Sequence, residues 1–103
     1  MGLRSKQSEF VKMVGKLIIY AESLGYELTF GDAFRDAKVK YGNKNSLHRI
    51  RLAIDFNLFI DGMYKSDTES HKPLGVYWES IGGSWGGRFK DGNHYSYEHD
   101  GRR

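Results

Sequence analysis

Between Leu52 and Ile60 apolar and other side chains alternate without a break, and no other stretch constrains the fold as tightly. A period of two is the signature of a β-strand with two distinct faces. Leu52, Ile54, Phe56, Leu58 and Ile60 point one way and form a continuous core face. Ala53, Asp55, Asn57 and Phe59 point the other way. An unpaired carboxylate is costly to bury, so Asp55 within this run calls for a compensating partner. With a small Ala53 on one side and a polar Asn57 on the other, the second face can serve as the floor of a site. Asp61-Gly62 is a strong two-residue turn signal, and Met63-Tyr64-Lys65 fits a short returning strand.

The remaining elements group around this strand. Ser5 to Leu24 reads as one long helix, with Phe10, Val14, Leu17, Ile18, Ala21 and Leu24 on one face. Ser5 or Ser8 is the expected cap, Gly25 the stop, and Gly15 a point of close packing. Tyr26 to Phe30 alternates and predicts a strand with one buried face. Asp36 to Asn45 is polar and reads as a connecting loop, as does Ser66 to Lys72. Pro73 suits the first turn of a second, short helix, with Leu74, Tyr77, Trp78 and Ile81 following at helical spacing. Gly82-Gly83 ends it, Trp85 to Phe89 is more loop than regular element, and His94 to Glu98 fits a final strand. These elements predict a single α+β domain over residues 1–103, a small mainly antiparallel sheet packed with one long N-terminal helix and a second short one.

Composition removes whole classes of chemistry. The chain has no cysteine, which excludes disulfide frameworks, thiolate zinc sites and cysteine nucleophiles. Any metal site must draw on His, Asp, Glu or water. The longest strongly apolar patch, Lys16 to Ala21, is too short to span a membrane. Met1 to Lys6 lacks the apolar core of a secretory signal, so the expected location is the cytoplasm of synthesis unless another protein releases the chain. A net charge of +3 is compatible with an anionic polymer as target, nucleic acid or cell wall.

Four residues concentrate the chemistry: His48, Asp55, Asp91 and His94. All are capable zinc ligands or bases. Asp91 and His94 are spaced i, i+3 through a Gly-Asn turn, which can bring both side chains to one pocket. Asp91-Gly92-Asn93 is equally ideal as a plain turn. Arg35 follows Phe34 and could bind a carboxylate bidentately, or pair with Asp32 or Asp36. Trp85, between Ser84 and two glycines, is a candidate groove residue, whereas Trp78 at helical spacing suits the core. His71 and His99 are expected in solvent, and Glu98 on the surface.

Ser46, His48, Ala53 and Asp55, followed by Asp91-x-x-His94 with tryptophans upstream, resemble the M15 zinc peptidases. These are the D-Ala-D-Ala carboxypeptidases and L-alanyl-D-glutamate endopeptidases of bacterial cell walls and phage lysis. Their pattern S-x-H-x-x-G-x-A-x-D is met at Ser46, His48, Ala53 and Asp55 and departs at the glycine, where this chain has Arg51. Gly31 to Arg35 and Trp85 to Phe89 are further stretches similar to the short phage-type members, and the likeness covers roughly residues 26 to 98.

The resemblance implies a Hedgehog/DD-peptidase-like fold and a zinc ion held by His48, Asp55 and His94. It implies Asp91 as catalytic base and Arg35 as the arginine that holds a substrate carboxylate or polarises the scissile carbonyl. It places Ser46, with Trp85, near the substrate, a peptidoglycan stem peptide. The implied protein is a monomeric endolysin that neither binds nucleic acid nor inserts in a membrane, made in the host cytoplasm and acting on the wall after release. Two other readings stand beside it. One is a basic nucleic-acid module using Lys38, Lys40, Lys44, Arg49 and Arg51. The other is an inactive cell-wall-binding relative.

Overall fold

A computed structural model describes residues 2–31 and 51–99. Its elements follow in the order α1 (Leu3–Ser23), β1 (Glu27–Phe30), β2 (Ala53–Ile60), β3 (Met63–Lys65), α2 (Thr68–Ser80), β4 (Ser84–Trp85), a short 3-10 turn (Gly86–Phe89) and β5 (His94–Ser96). Two helices and a small antiparallel sheet make an α+β fold, as the sequence pattern predicts. Strand order is β1-β2-β5-β4, with β3 also on β2. The alternating run is the strand the others share. Its Phe56–Phe59 portion pairs with β1, its last three residues with β3 and its first three with β5.

Its core face is the predicted one. Leu52, Ile54, Phe56 and Leu58 are buried, and Ile60 is partly so. The helices cover this face through Phe10, Met13, Leu17, Ala21, Leu74 and Trp78. In α1 the buried stripe is therefore 10-13-17-21, and Met13 belongs to it. Ile18 and Leu24, expected in it, are more than a third exposed. The 3.6-residue period turns the buried direction away from both. Gly15 has open space around it and makes no close packing contact.

The helix ends also differ from expectation. α1 starts at Leu3 with Gly2 as N-cap and no side-chain cap, so neither Ser5 nor Ser8 caps it. At its C-terminus, Gly25 N–H donates to the Glu22 carbonyl and Tyr26 N–H to that of Ala21, the paired bonds of a Schellman motif. Gly25 supplies the left-handed φ of +77° that this motif requires. α2 begins five residues before Pro73, at Thr68, so much of the expected Ser66–Lys72 loop is helix. Asp67 explains the earlier start. Its carboxylate accepts from the Ser70 N–H and hydroxyl at 2.9 and 2.8 Å, which also holds its pKa below the ordinary carboxylate value. Asp61 and Gly62 both take positive φ in the β2–β3 hairpin, as a type I′ turn demands.

The earlier helix start changes the setting of His71. Expected in solvent, it is 1% exposed and its Nδ1 lies 2.8 Å from the Tyr95 hydroxyl. Burial holds its pKa below the ordinary 6.5, while the Lys65 carbonyl and the charges of Asp67 and Asp91 work the other way. Burial also pushes the Tyr95 phenol far above its usual pKa, so Tyr95 keeps its proton. His99, also expected in solvent, is half-buried, and Glu98 is exposed as predicted.

An imidazole whose pKa is lowered in the fold binds less proton than it does in the unfolded chain as the pH falls through 6.5. Its contribution to stability is complete above that pH and is lost as the pH falls, at up to about 1.4 kcal/mol per pH unit. Urea unfolding at pH 7.5 and 5.5 should show this loss, and His71→Leu should flatten it. Equal slopes for the two proteins would count against it.

Candidate active site

The face of β2 opposite the core carries Ala53, Asp55 and Asn57, and β5 brings His94 and Ser96 alongside. Asp55 and His94 are register partners. Phe56 N–H donates to the Asn93 carbonyl at 3.0 Å, so the pair occupies a non-hydrogen-bonded position of the antiparallel ladder. Such positions hold their Cα atoms about 4.5 Å apart and turn both side chains to one face. His94 Nδ1 accordingly lies 3.2 Å from Asp55 Oδ1. The two side chains are 12% and 19% exposed, sheltered but open on one side. The sheltered carboxylate of the alternating run thus has a cross-strand imidazole as its partner.

The same spacing suits a shared metal. In a tetrahedral zinc site with bonds of 2.0–2.2 Å, neighbouring donor atoms stand about 3.3 Å apart. One imidazole nitrogen and one carboxylate oxygen, partly open to solvent, are a donor set of the right chemistry and spacing for two of three protein ligands. Among the described residues no cluster of three metal-binding side chains occurs. His48, expected from the resemblance as a third ligand, lies outside the described residues, as do Arg35 and Ser46. Gly31, which precedes that segment, is held against Asp55. Gly31 N–H donates to the Asp55 carbonyl at 2.7 Å, and Arg51 leads directly into β2. A Cβ at Gly31 would lie 3.0 Å from that same oxygen, so the close approach uses the glycine.

Asp91 opens the turn that delivers His94. Its carboxylate-bearing residue is exposed, and the backbone beneath is tied on every side. Asp91 N–H donates to the Gly86 carbonyl at 2.9 Å, and His94 N–H to that of Asp91 at 3.1 Å. Trp85 Nε1 donates to the Gly92 carbonyl at 2.7 Å. Gly86 packs so closely that a Cβ there would lie 2.2 Å from the Asp91 oxygen and 2.7 Å from His94 Cβ. The turn residues are ordinary turn formers, yet their surroundings fix where Asp91 and His94 emerge.

Trp85 is not a groove residue. It is 4% exposed, and Gly75 and Gly87 make room for it in the core. A Cβ on Gly75 of α2 would come within 2.0 Å of the indole, and one on Gly87 within 2.3 Å. Asn57 ties β2 to β1, donating to Thr29 Oγ1 at 3.2 Å. Gly86 escaped the sequence reading, although its place in a Trp-Gly-Gly run was the available signal. Tyr95 escaped it too, although alternation alone puts it on the face opposite His94.

Arg51 stands where the resembled motif has glycine, and its φ is +59°. The left-handed conformation that glycine takes freely is thus retained by an arginine, at a cost of about 1–2 kcal/mol.

The family model for peptidase M15, described as D-alanyl-D-alanine carboxypeptidase, matches residues 40–97, more than half of the chain. The match includes His48, Asp55, Asp91 and His94. No curated protein matches the chain.

Two substitutions probe this backbone. Gly86→Ala should destabilise the fold by about 1–3 kcal/mol, measured by urea unfolding, and speed amide exchange at His94 by forcing the turn off β5. Arg51→Gly should stabilise it by about 1 kcal/mol or less, since relief of the left-handed strain is offset by glycine's greater chain entropy. A clear loss of stability on Arg51→Gly would contradict the strain.

Proposed function

We propose, from the premise that this chain belongs to the M15 peptidase family, that it is a zinc-dependent peptidase of bacterial peptidoglycan acting as a phage endolysin. Family membership makes it a peptidase; zinc, substrate and biological setting belong to the proposal. The observation that carries the metal is the Asp55–His94 pair, a carboxylate oxygen and an imidazole nitrogen 3.2 Å apart on one sheet face. His48, Asp55 and His94 would hold the ion. When bound, zinc supplies a Lewis acid that polarises a carbonyl and lowers the pKa of a coordinated water.

The chain's own residues then divide the work. Asp91 emerges from a turn tied to β5 and the 3-10 turn, with its side chain reaching solvent. Its carboxylate accepts the proton of the attacking water and returns it to the leaving amine. Arg35 binds a carboxylate of the stem peptide through its planar pair of donors. Ser46 sits near the substrate. The buried β2–β5 ladder keeps Asp55 and His94 at fixed separation, so the site does not have to reorganise during turnover. The protein acts as a monomer, binds no nucleic acid, and reaches the wall after release from the host cytoplasm. No helix among the described residues is long and apolar enough to cross a membrane.

The test is mass spectrometry of muropeptides after digestion of purified peptidoglycan, with and without chelator. The proposal expects cleavage that chelator abolishes, and the products distinguish an L-Ala–D-Glu cut from a D-Ala–D-Ala cut. Asp91→Ala should bind zinc normally while losing roughly 10²–10⁴-fold in kcat. Protein refolded with zinc that holds no stoichiometric metal would sink the reading. Tight wall binding without hydrolysis would point to the inactive relative.

A further inference from the structure

We propose that His71 and Tyr95 form a buried positioning pair that fixes β5, and with it His94 and Asp91, against the first turns of α2. The inference rests on the functional reading above for its catalytic consequence, though not for its structural one.

Tyr95 stands between His94 and Ser96 on β5. The pleat sends His94 to the site face and Tyr95 to the core face, where it is fully buried. There its hydroxyl meets His71 Nδ1 at 2.8 Å, and both groups are removed from water. One hydrogen bond joins the two groups, the hydroxyl and Nδ1 being donor and acceptor to each other, so each side chain satisfies the other. The ring is therefore tied directly to β5.

The same stretch of α2 touches the turn before β5. Gly92 lies so close that a Cβ there would stand 2.6 Å from the Thr68 Cα. Thr68 and His71 are one helical turn apart, on the N-terminal turns capped by Asp67. They support, respectively, the turn that carries Asp91 and the strand that carries His94. On β5, His94 and the supporting Tyr95 lie on opposite faces of one strand.

The chemistry of the pair argues for geometry over bulk stability. Apolar side chains of the same size would fill the space without having to be satisfied by hydrogen bonds. A buried hydroxyl and imidazole are satisfied in one relative orientation only, and any slide of β5 along α2 leaves both without a partner. Tyr95 also packs edge-on against Trp78 and Phe56, which restricts its ring. The hydroxyl therefore reports, and resists, motion of the strand rather than rotation of the side chain. His71 does not approach substrate; it acts through Tyr95 on the position of His94.

The experiment compares Tyr95→Phe with the double variant His71→Leu, Tyr95→Phe. The single change strands a buried nitrogen and should lower stability. The double change removes both polar groups and should recover much of it. At matched stability, set by urea, amide exchange at His94 and Phe56 should be at least roughly ten-fold faster in the double variant than in the wild type. His94 N–H donates to the Asp91 carbonyl within the turn, and Phe56 N–H donates from β2 to the Asn93 carbonyl. In hydrolysis assays kcat should fall by roughly ten-fold or more, with KM within about two-fold, the scale seen when groups supporting a site are removed. A double variant with wild-type stability, exchange and kcat overturns the proposal. A wild-type protein without zinc or activity would overturn the peptidase reading instead, and the exchange comparison would still decide this one.

Discussion

The pairing of β2 with β5 is the contact on which the rest of the structure depends. It unites the core and the site in one ladder. Ile54 and Tyr95 face inward as one rung, and Asp55 and His94 face outward as the next. Alternation makes the two functions inseparable, because a slip of one residue would expose the core and bury the site together. Burial of Leu52, Ile54, Phe56 and Leu58 therefore holds the distance between a carboxylate and an imidazole on the other side of the sheet.

Glycine lets two large aromatics lock this ladder in place. Trp78 is fully buried, packs edge-on against Phe10 and Tyr95, and donates its indole N–H to the Ser96 carbonyl of β5 at 2.9 Å. A Cβ at Gly83 would stand 2.0 Å from that indole nitrogen. Trp85 lies between Gly75 and Gly87 and donates to the Gly92 carbonyl. Each indole hides on the order of 200 Å² and ends in a donor that ties down the segment bearing His94 or Asp91. Hydrophobic burial and site placement are thus delivered by the same side chains. A bidentate Arg88–Glu79 pair closes the outer side of this region, with the Arg88 guanidinium 5.7 Å from the Trp85 ring. It is largely exposed and contributes little by comparison.

Arg51 shows how a motif can change its residue and keep its backbone. The resembled pattern places glycine there, and the chain turns into β2 with the φ that glycine favours. The constraint is on the path of the chain, since Asp55 must arrive on the correct face four residues later. An arginine satisfies that path at some cost in strain, so the departure leaves Asp55 where the pattern needs it.

Periodicity and turn chemistry made much of this legible. The two-residue alternation of 52–60, the Asp61-Gly62 turn, the helical spacing of α1 and the glycine stops at 25 and 82 each follow from local sterics that short stretches carry by themselves. The spacing of Asp55, Asp91 and His94 marked candidate ligands, and their family pattern pointed to a peptidase. What only tertiary structure decided was the partner of each group. Asp67 capped α2 early and drew His71 out of solvent to Tyr95; Gly75 and Gly87 turned Trp85 from a groove residue into core; strand pairing set Asp55 opposite His94. The His71–Tyr95 and Asp55–His94 contacts join residues 24 and 39 positions apart, and no local preference encodes which distant atom will fill a space or satisfy a donor. The sequence alone determined which elements form and which residues could do chemistry, while packing across the β2–β5 ladder decided which of them meet.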